Sequence, residues 1–323
     1  MDKKKEINIM TSCDENLVGQ IPILLRSIAE SLKDRKIRFF FLFHNISELT
    51  LDLLERQCTF YGNIDFCRIR IDLNEMEIFR ILASAGGQWC PEAYFSLMAH
   101  ELLPTDAERV LYLDAGDTLV VGNIDKYYYM DFEENFIIAT GICYKEINNQ
   151  LYSIDEEDIE DPVGLAAVTR GLFNSGSYIM NLVKMREDGR YTLSAYLELA
   201  SLTKQLRGME QAYWGDQGFL STVFVGKIKY YAYPEIRDYW YMPYNFCLWY
   251  YDSRTEKPGY DISIIHFAGA VKPWKVSYPT YLRRFQSEEL LGMENLKKCQ
   301  VPYYLVWYDI AQKTEVLIEQ LES

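Results

Sequence analysis

Apolar and polar positions follow two rhythms along this chain. Short runs rich in Ile, Val and Phe, at Ile7–Met10, Ile37–Phe43 and Ile64–Ile71, predict buried strands. Between them, Leu17–Leu32 and Ser47–Phe60 carry apolar residues at helical spacing, with Ser47 placed as an N-cap. Pro91–Leu103 reads as a further helix and Arg109–Leu113 as a buried strand. Farther on, Ser177–Leu182 and the run ending at His266 read as strands, and Tyr191–Lys204 and Asp216–Val223 as helices. Strands alternating with helices predict an α/β class with βαβ units and a mostly parallel central sheet. In such sheets ligands gather beyond the carboxyl ends of the strands, which here are Ser12–Asn16, His44 and Asp114–Asp117.

Two stretches break this pattern. Ile147–Asp161 is acidic and poor in large apolar side chains, which predicts a surface excursion or lid. Beyond Trp274 the chain changes to two helical stretches, Tyr281–Leu296 and Pro302–Leu321. Residues 1–275 therefore read as the main domain and 276–323 as a C-terminal helical cap. The aromatics of Pro302–Tyr308, near Lys297 and Lys298, fit core packing or peripheral contact with a lipid-linked acceptor. Tyr239–Tyr251, rich in Tyr and Trp, fits an acceptor-side wall or a packed loop.

Charge narrows the partners. The chain has 33 Lys and Arg against 47 Asp and Glu, a net charge of −14. That surface repels phosphate polymers, which excludes nucleic acid as a partner, and it does not hold an anionic membrane by charge alone. A small anionic ligand then needs a metal ion or a local lysine to offset the field. The seven cysteines are scattered and form no C-x-x-C pair, so they read as reduced thiols of a cytoplasmic protein. No apolar run is long enough for a membrane span or signal peptide, leaving peripheral contact at the inner face of the membrane as the most that is expected.

Candidate chemistry falls at four places. In Arg109-Val-Leu-Tyr-Leu-Asp114-Ala115-Gly116-Asp117 a buried strand ends in two carboxylates, which a hard divalent cation would neutralise. Gly116 permits the tight turn that would bring the two side chains together. The alternative is an ordinary turn capped by Asp. In His266-Phe-Ala-Gly269-Ala-Val-Lys272-Pro-Trp274 a strand delivers an imidazole suited to be a third ligand. Gly269 and Lys272 suit a diphosphate, which takes backbone N–H groups and a point charge. The alternative is a buried structural His beside a solvated Lys. Phe173-Asn174-Ser175-Gly176 offers an amide to sugar hydroxyls, and Trp214-Gly215-Asp216-Gln217 places a carboxylate and an amide at a helix start.

Taken in order, these pieces resemble the landmark motifs of glycosyltransferase family 8, whose members include lipopolysaccharide galactosyl- and glucosyltransferases and glycogenin. The resemblance begins at Thr11-Ser12-Cys13-Asp14-Glu15-Asn16 and ends at the H-F-A-G-A-V-K-P-W run, covering about residues 6–275. It implies a GT-A fold, a UDP-sugar donor, Mn²⁺ or Mg²⁺, and retention of anomeric configuration. It further implies Asp114, Asp117 and His266 as metal ligands. Gly269 and Lys272 would hold the diphosphate, Asp14 would read the nucleotide base or ribose, and Thr11, Ser12, Asn16, Asp114 and Ala115 would complete the nucleotide-sugar site. Asn174, Asp216 and Gln217 would be catalytic and face the donor sugar, with Gln217 near the reacting carbon as nucleophile or as oxocarbenium stabiliser. The implied acceptor is a glycan, lipid-linked or protein-linked, in cell-surface glycan synthesis.

The chain departs from the family pattern twice. Its acidic pair is D-A-G-D where the family has D-x-D, and Asp117 reaches the metal only through a bulge at Gly116. Ser96 stands where the family commonly has an Arg. These departures motivate a second reading, a catalytically weak or inactive nucleotide-sugar-binding protein on the same scaffold. A nucleotidyltransferase lacks support, because no Gly-rich basic loop follows the first strand.

Overall fold

The computed structural model describes residues 6–86, 89–141, 145–147, 150–152, 173–207, 215–224, 226–231, 241–248, 261–269, 271–275 and 300–323. Strand β1 (Glu6–Ser12) leads through a 3-10 turn at Val18–Gln20 into helix α1 (Ile21–Ser31), then β2 (Lys36–Phe43), α2 (Glu48–Tyr61), β3 (Ile64–Arg70) and α3 (Leu73–Gly86). A 3-10 segment, Pro91–Met98, runs into the short α4 (Ala99–Leu102), followed by β4 (Arg109–Leu113), β5 (Thr118–Val120), α5 (Asp125–Tyr128) and β6 (Ile137–Gly141). A small hairpin pairs β7 (Lys145–Ile147) with β8 (Gln150–Tyr152). Then come β9 (Phe173–Asn181), α6 (Leu182–Asp188), α7 (Leu193–Arg207), α8 (Gly215–Val223) and β10 (Ile228–Tyr230). Three short strands, β11 (Tyr241–Met242), β12 (Asn245–Cys247) and β13 (Ile264–His266), precede the last helix, α9 (Val301–Glu322).

Seven strands form the central sheet in the order β10-β6-β9-β4-β1-β2-β3. The pairs β1–β2, β2–β3, β1–β4 and β10–β6 are parallel, while β9 runs antiparallel to both β4 and β6. The expected α/β class with a mostly parallel sheet is therefore present. The antiparallel β9 matters for function: its first residues lie beside the carboxyl end of β4, with Ser177 opposite Leu113. A second sheet, β11-β12-β13-β5, hangs from the chain just after β4 and pairs His266 with Thr118.

Both sheet faces are covered, which explains the near-continuous apolar runs of β1, β2 and β4. One core cluster packs α3, the 91–98 segment, α7 and α8 on the face holding Met10, Phe40 and Tyr112. Another packs α1 and α2 on the face holding Ile9, Phe39, Phe41 and Leu111. A third joins the second sheet to α9 through Phe246, Phe267, Tyr304, Trp307 and Tyr308. The aromatic cluster of the tail is thus core packing.

Several expectations need correction. Leu17–Leu32 is a 3-10 turn followed by a helix from Ile21, with Pro22 in the first turn. Pro91–Leu103 is mostly 3-10, so its buried residues Tyr94–Met98 form a continuous run where an α-helix would show a stripe. Helix α3 is an element that the apolar pattern does not predict, and α8 begins at Gly215, which puts Asp216 inside the first turn. The start of the predicted excursion Ile147–Asp161 includes the β8 strand. The predicted helix Tyr281–Leu296, the basic pair Lys297 and Lys298, and most of the Ile147–Asp161 excursion lie outside the described residues. Ser47 caps α2 as expected, its hydroxyl accepting from the Thr50 N–H at 3.2 Å. Of the seven cysteines, Cys13, Cys58, Cys67 and Cys90 are free thiols, Cys247 is buried, and Cys143 and Cys299 lie outside the described residues.

Candidate active site

The site grows from the end of β4. The Asp114 N–H donates to the Gly176 carbonyl at 3.0 Å, which welds the carboxyl end of β4 to the start of β9. The chain then turns sharply: Gly116 takes φ +76°, and a Cβ there would press on the Gln20 side chain at 3.1 Å. This left-handed turn supplies the extra residue of D-A-G-D and swings Asp117 back toward Asp114. Beyond it, the Thr118 hydroxyl donates to the Asp114 carbonyl at 2.8 Å, and the Phe267 N–H donates to the Asp117 carbonyl at 2.7 Å. The β5–β13 pairing thereby carries His266 to the two acids.

Carboxylate oxygens of Asp114 and Asp117 and a ring nitrogen of His266 all lie within 4.8 Å of one another. Metal–oxygen bonds of about 2.0–2.6 Å set opposite ligands roughly 4–5 Å apart, so the three residues fit one divalent ion. Electrostatics supports the fit. Burial raises the Asp114 carboxyl well above the ordinary carboxylate range, and the charges of Asp117 and Asp216 push it further, against the pull of Lys272. Burial raises Asp117 too, opposed by its ion pair with the Lys272 ammonium. Crowded acids of this kind favour a bound cation. His266 is buried, and burial, helped by the Lys272 charge, lowers its pKa to about 3, so it is the neutral imidazole a metal requires.

Around His266 lies a set of amides. Its Nδ1 is 3.0 Å from Asn245 Oδ1. Asn245 Nδ2 donates to the Asn174 carbonyl at 3.1 Å and to Asn174 Oδ1 at 3.0 Å. Asn174 Nδ2 in turn donates to Gln217 Oε1 at 3.1 Å. Gly176 is required here, because a Cβ would lie 2.3 Å from the His266 ring. Asp216 sits in the first turn of α8, and burial raises its pKa against the hydrogen bond from Ser175.

Comparison with known proteins shows the family. The model of "Glycosyl transferase family 8" matches residues 8–277, spanning every residue just described. The chain belongs to glycosyltransferase family 8. No curated protein matches it in sequence. Among solved structures it is similar to the galactosyltransferase LgtC in complex with donor and acceptor sugar analogs, at 22% identity and TM-score 0.62, over 91% of this chain and 99% of that one. It is also similar to the glycosyltransferase GlyE of Streptococcus pneumoniae, at 15% identity and TM-score 0.58, over 98% of this chain and 62% of that one. A third is mouse xyloside xylosyltransferase 1, at 12% identity and TM-score 0.54, over 81% and 97%. These likenesses establish the GT-A fold, and the family establishes a glycosyltransferase.

Within this family 8 chain, the other expected residues are placed unequally. Thr11 is fully buried and its hydroxyl donates to the Leu113 carbonyl at 2.7 Å, while Ser12 donates to the Glu92 carbonyl at 2.8 Å. Both side-chain hydroxyls are therefore committed to the scaffold. Asp14 accepts from the N–H groups of Asn16 and Leu17 at 3.0 and 3.1 Å and from Asn16 Nδ2 at 2.6 Å, closing the turn after β1. His44 bonds the Ile71 carbonyl at 2.9 Å and stays outside the metal group. Ala115 is buried between the two acids, and Gly269 takes φ +100° ahead of Lys272. Ser96 is buried beside Tyr178, so a neutral hydroxyl occupies its position. Sequence reasoning missed Asn245: a single amide in a Tyr-rich stretch carries no spacing signal, and only the pairing of β12 with β13 brings it to His266.

Proposed function

We propose that the chain transfers a hexose from a UDP-sugar to a glycan, lipid-linked or protein-linked acceptor, with retention of configuration and with Mn²⁺ or Mg²⁺ as cofactor. The observation that carries this reading is the convergence of Asp114, Asp117 and a neutral His266 within 4.8 Å, beside Lys272. A divalent ion held by those three residues would supply a Lewis acid for the diphosphate that leaves the sugar. Lys272 would add a point charge to the same diphosphate, exchanging its Asp117 partner for phosphate oxygens. Gly269, with its left-handed backbone, would let the chain approach that group closely, while Asp14 would read the nucleotide base or ribose and Thr11, Ser12, Asn16 and Ala115 would complete the nucleotide-sugar site. Asn174, Asp216 and Gln217 would bind and orient the donor sugar, in a water-poor floor bounded by the stacked Tyr112 and Tyr178 rings, 4.9 Å apart. Residues 1–275 would form the catalytic unit and 276–323 its helical cap. Among the described residues no helix is long and apolar enough to cross a membrane, which is compatible with a cytoplasmic enzyme in peripheral contact with its acceptor.

One observation favours a second reading, a nucleotide-sugar-binding protein with little or no turnover: Ser96 puts a neutral, buried hydroxyl where a cation is expected. Steady-state release of UDP from a panel of UDP-hexoses, with Mn²⁺ and with chelator, separates the two. Metal-dependent turnover that falls at least 100-fold in Asp114→Ala supports transfer. Binding of UDP without turnover of any donor would leave the second reading standing.

A further inference from the structure

Two backbone groups of fixed polarity determine how every hydrogen bond around His266 must run. The Gly176 N–H, a donor only, meets one end of the Asn174 amide at 3.1 Å, so that end is the oxygen. The other end of Asn174 is then its NH₂, and the Gln217 atom 3.1 Å from it must be the carbonyl oxygen. The Asn174 backbone carbonyl, an acceptor only, meets Asn245 at 3.1 Å, so that end of Asn245 is its NH₂. The remaining end of Asn245, 3.0 Å from His266 Nδ1, is therefore an oxygen, and Nδ1 must carry the proton. A neutral imidazole has one N–H, which leaves Nε2 bare.

We propose that Asn245 is a positioning residue of this site: by holding the His266 proton on Nδ1 it presents the unprotonated Nε2 to Asp114 and Asp117 as the ligating atom. Free histidine prefers the opposite tautomer, with the proton on Nε2, which cannot ligate through that nitrogen. Asn245 is 3% exposed, so water does not replace it readily as the acceptor. The same chain of bonds has a second consequence. Gln217 Oε1 accepts from Asn174 with one of its two lone pairs, which fixes the orientation of the amide and makes its NH₂ the end free to donate to a sugar or phosphate oxygen. The metal arm of this inference rests on the reading of Asp114, Asp117 and His266 as ligands, and the tautomer arm does not.

The test exploits the small number of histidines, three in the chain. In metal-free protein labelled with ¹⁵N-histidine, with His266 assigned through His266→Gln, long-range ¹H–¹⁵N spectra at neutral pH are expected to show Nδ1 protonated and Nε2 bare. A ring protonated on Nε2 would overturn the proposal. Asn245→Leu is expected to lose the Nδ1–H tautomer and to weaken Mn²⁺ binding, read from the EPR signal of free Mn²⁺, by about 10–100-fold. Asn245→Asp keeps an acceptor at Nδ1 and should retain the tautomer and most of the affinity. Equal losses in the two variants with an unchanged His266 signature would make Asn245 merely structural and sink the idea. If Asn245→Leu does not fold, the wild-type spectrum and the Asn245→Asp affinity decide the matter alone. An Nδ1-protonated ring in a protein that takes up no Mn²⁺ supports the tautomer assignment and counts against the metal reading, so the two failures are told apart.

Discussion

At Asp114, burial, two neighbouring carboxylates and one lysine act on a single proton. Its folded pKa lies above the ordinary carboxylate value near ~3.9, so the native protein holds a proton that the unfolded chain releases. The sign follows: this proton adds to metal-free stability below about pH 4, and the contribution is lost as pH rises through the elevated pKa. A metal needs the carboxylate, so its uptake must expel the proton. His266, lowered to about 3, is already neutral and contributes no proton near neutrality. Mn²⁺ affinity is accordingly expected to fall as pH is lowered through the raised Asp114 pKa. Calorimetry in buffers of different ionisation heat should show proton release on Mn²⁺ binding, absent in Asp114→Asn. Proton release that survives in that variant would assign the raised group elsewhere. Residue chemistry of this kind was legible early, because D-A-G-D and H-F-A-G-A-V-K-P-W keep their reactive groups close in sequence. Asn245 was not, since its role depends on a partner 21 residues away.

At the scale of elements, α9 braces the lysine loop. The Tyr304 hydroxyl donates to the Val271 carbonyl at 2.9 Å and the Tyr308 hydroxyl to the Pro273 carbonyl at 2.7 Å, one on each side of Lys272. Trp307 adds ring contact with Trp274, centroids 6.4 Å apart. The double variant Tyr304→Phe/Tyr308→Phe is expected to lower the unfolding free energy by about 1–3 kcal/mol in urea titrations. It should weaken UDP binding several-fold while leaving Mn²⁺ binding alone; equal loss of both would mean that α9 supports the whole site and not the loop. This helix was readable, since its expected span Pro302–Leu321 differs from Val301–Glu322 by one residue at each end. Helix α3 was not: Met76, Phe79 and Leu82 are buried, but exposed Leu73 and Ile81 blur the stripe they form. The strands of the second sheet have two or three residues each, too few for a period to show.

Across the whole molecule, the site joins four distant parts of the chain because β9 enters the sheet antiparallel beside β4 and the second sheet folds back on β5. Alternating strands and helices foretold the parallel majority of the sheet, but the direction of β9 and the return of β13 are decided by long-range pairing, which local patterning does not encode. The acidic balance of −14 gives the surface no attraction for a dianionic nucleotide, so binding must depend on the local cation and Lys272. Thermodynamic linkage then makes metal and nucleotide uptake interdependent. The measurement that tests this most directly is calorimetric titration of UDP into the protein, with Mn²⁺ and with excess chelator, in wild type, Asp114→Ala and His266→Ala. The account predicts binding that requires Mn²⁺ and is lost in both variants. Binding of equal strength with chelator present, or retained in both variants, would contradict a metal centre at Asp114, Asp117 and His266.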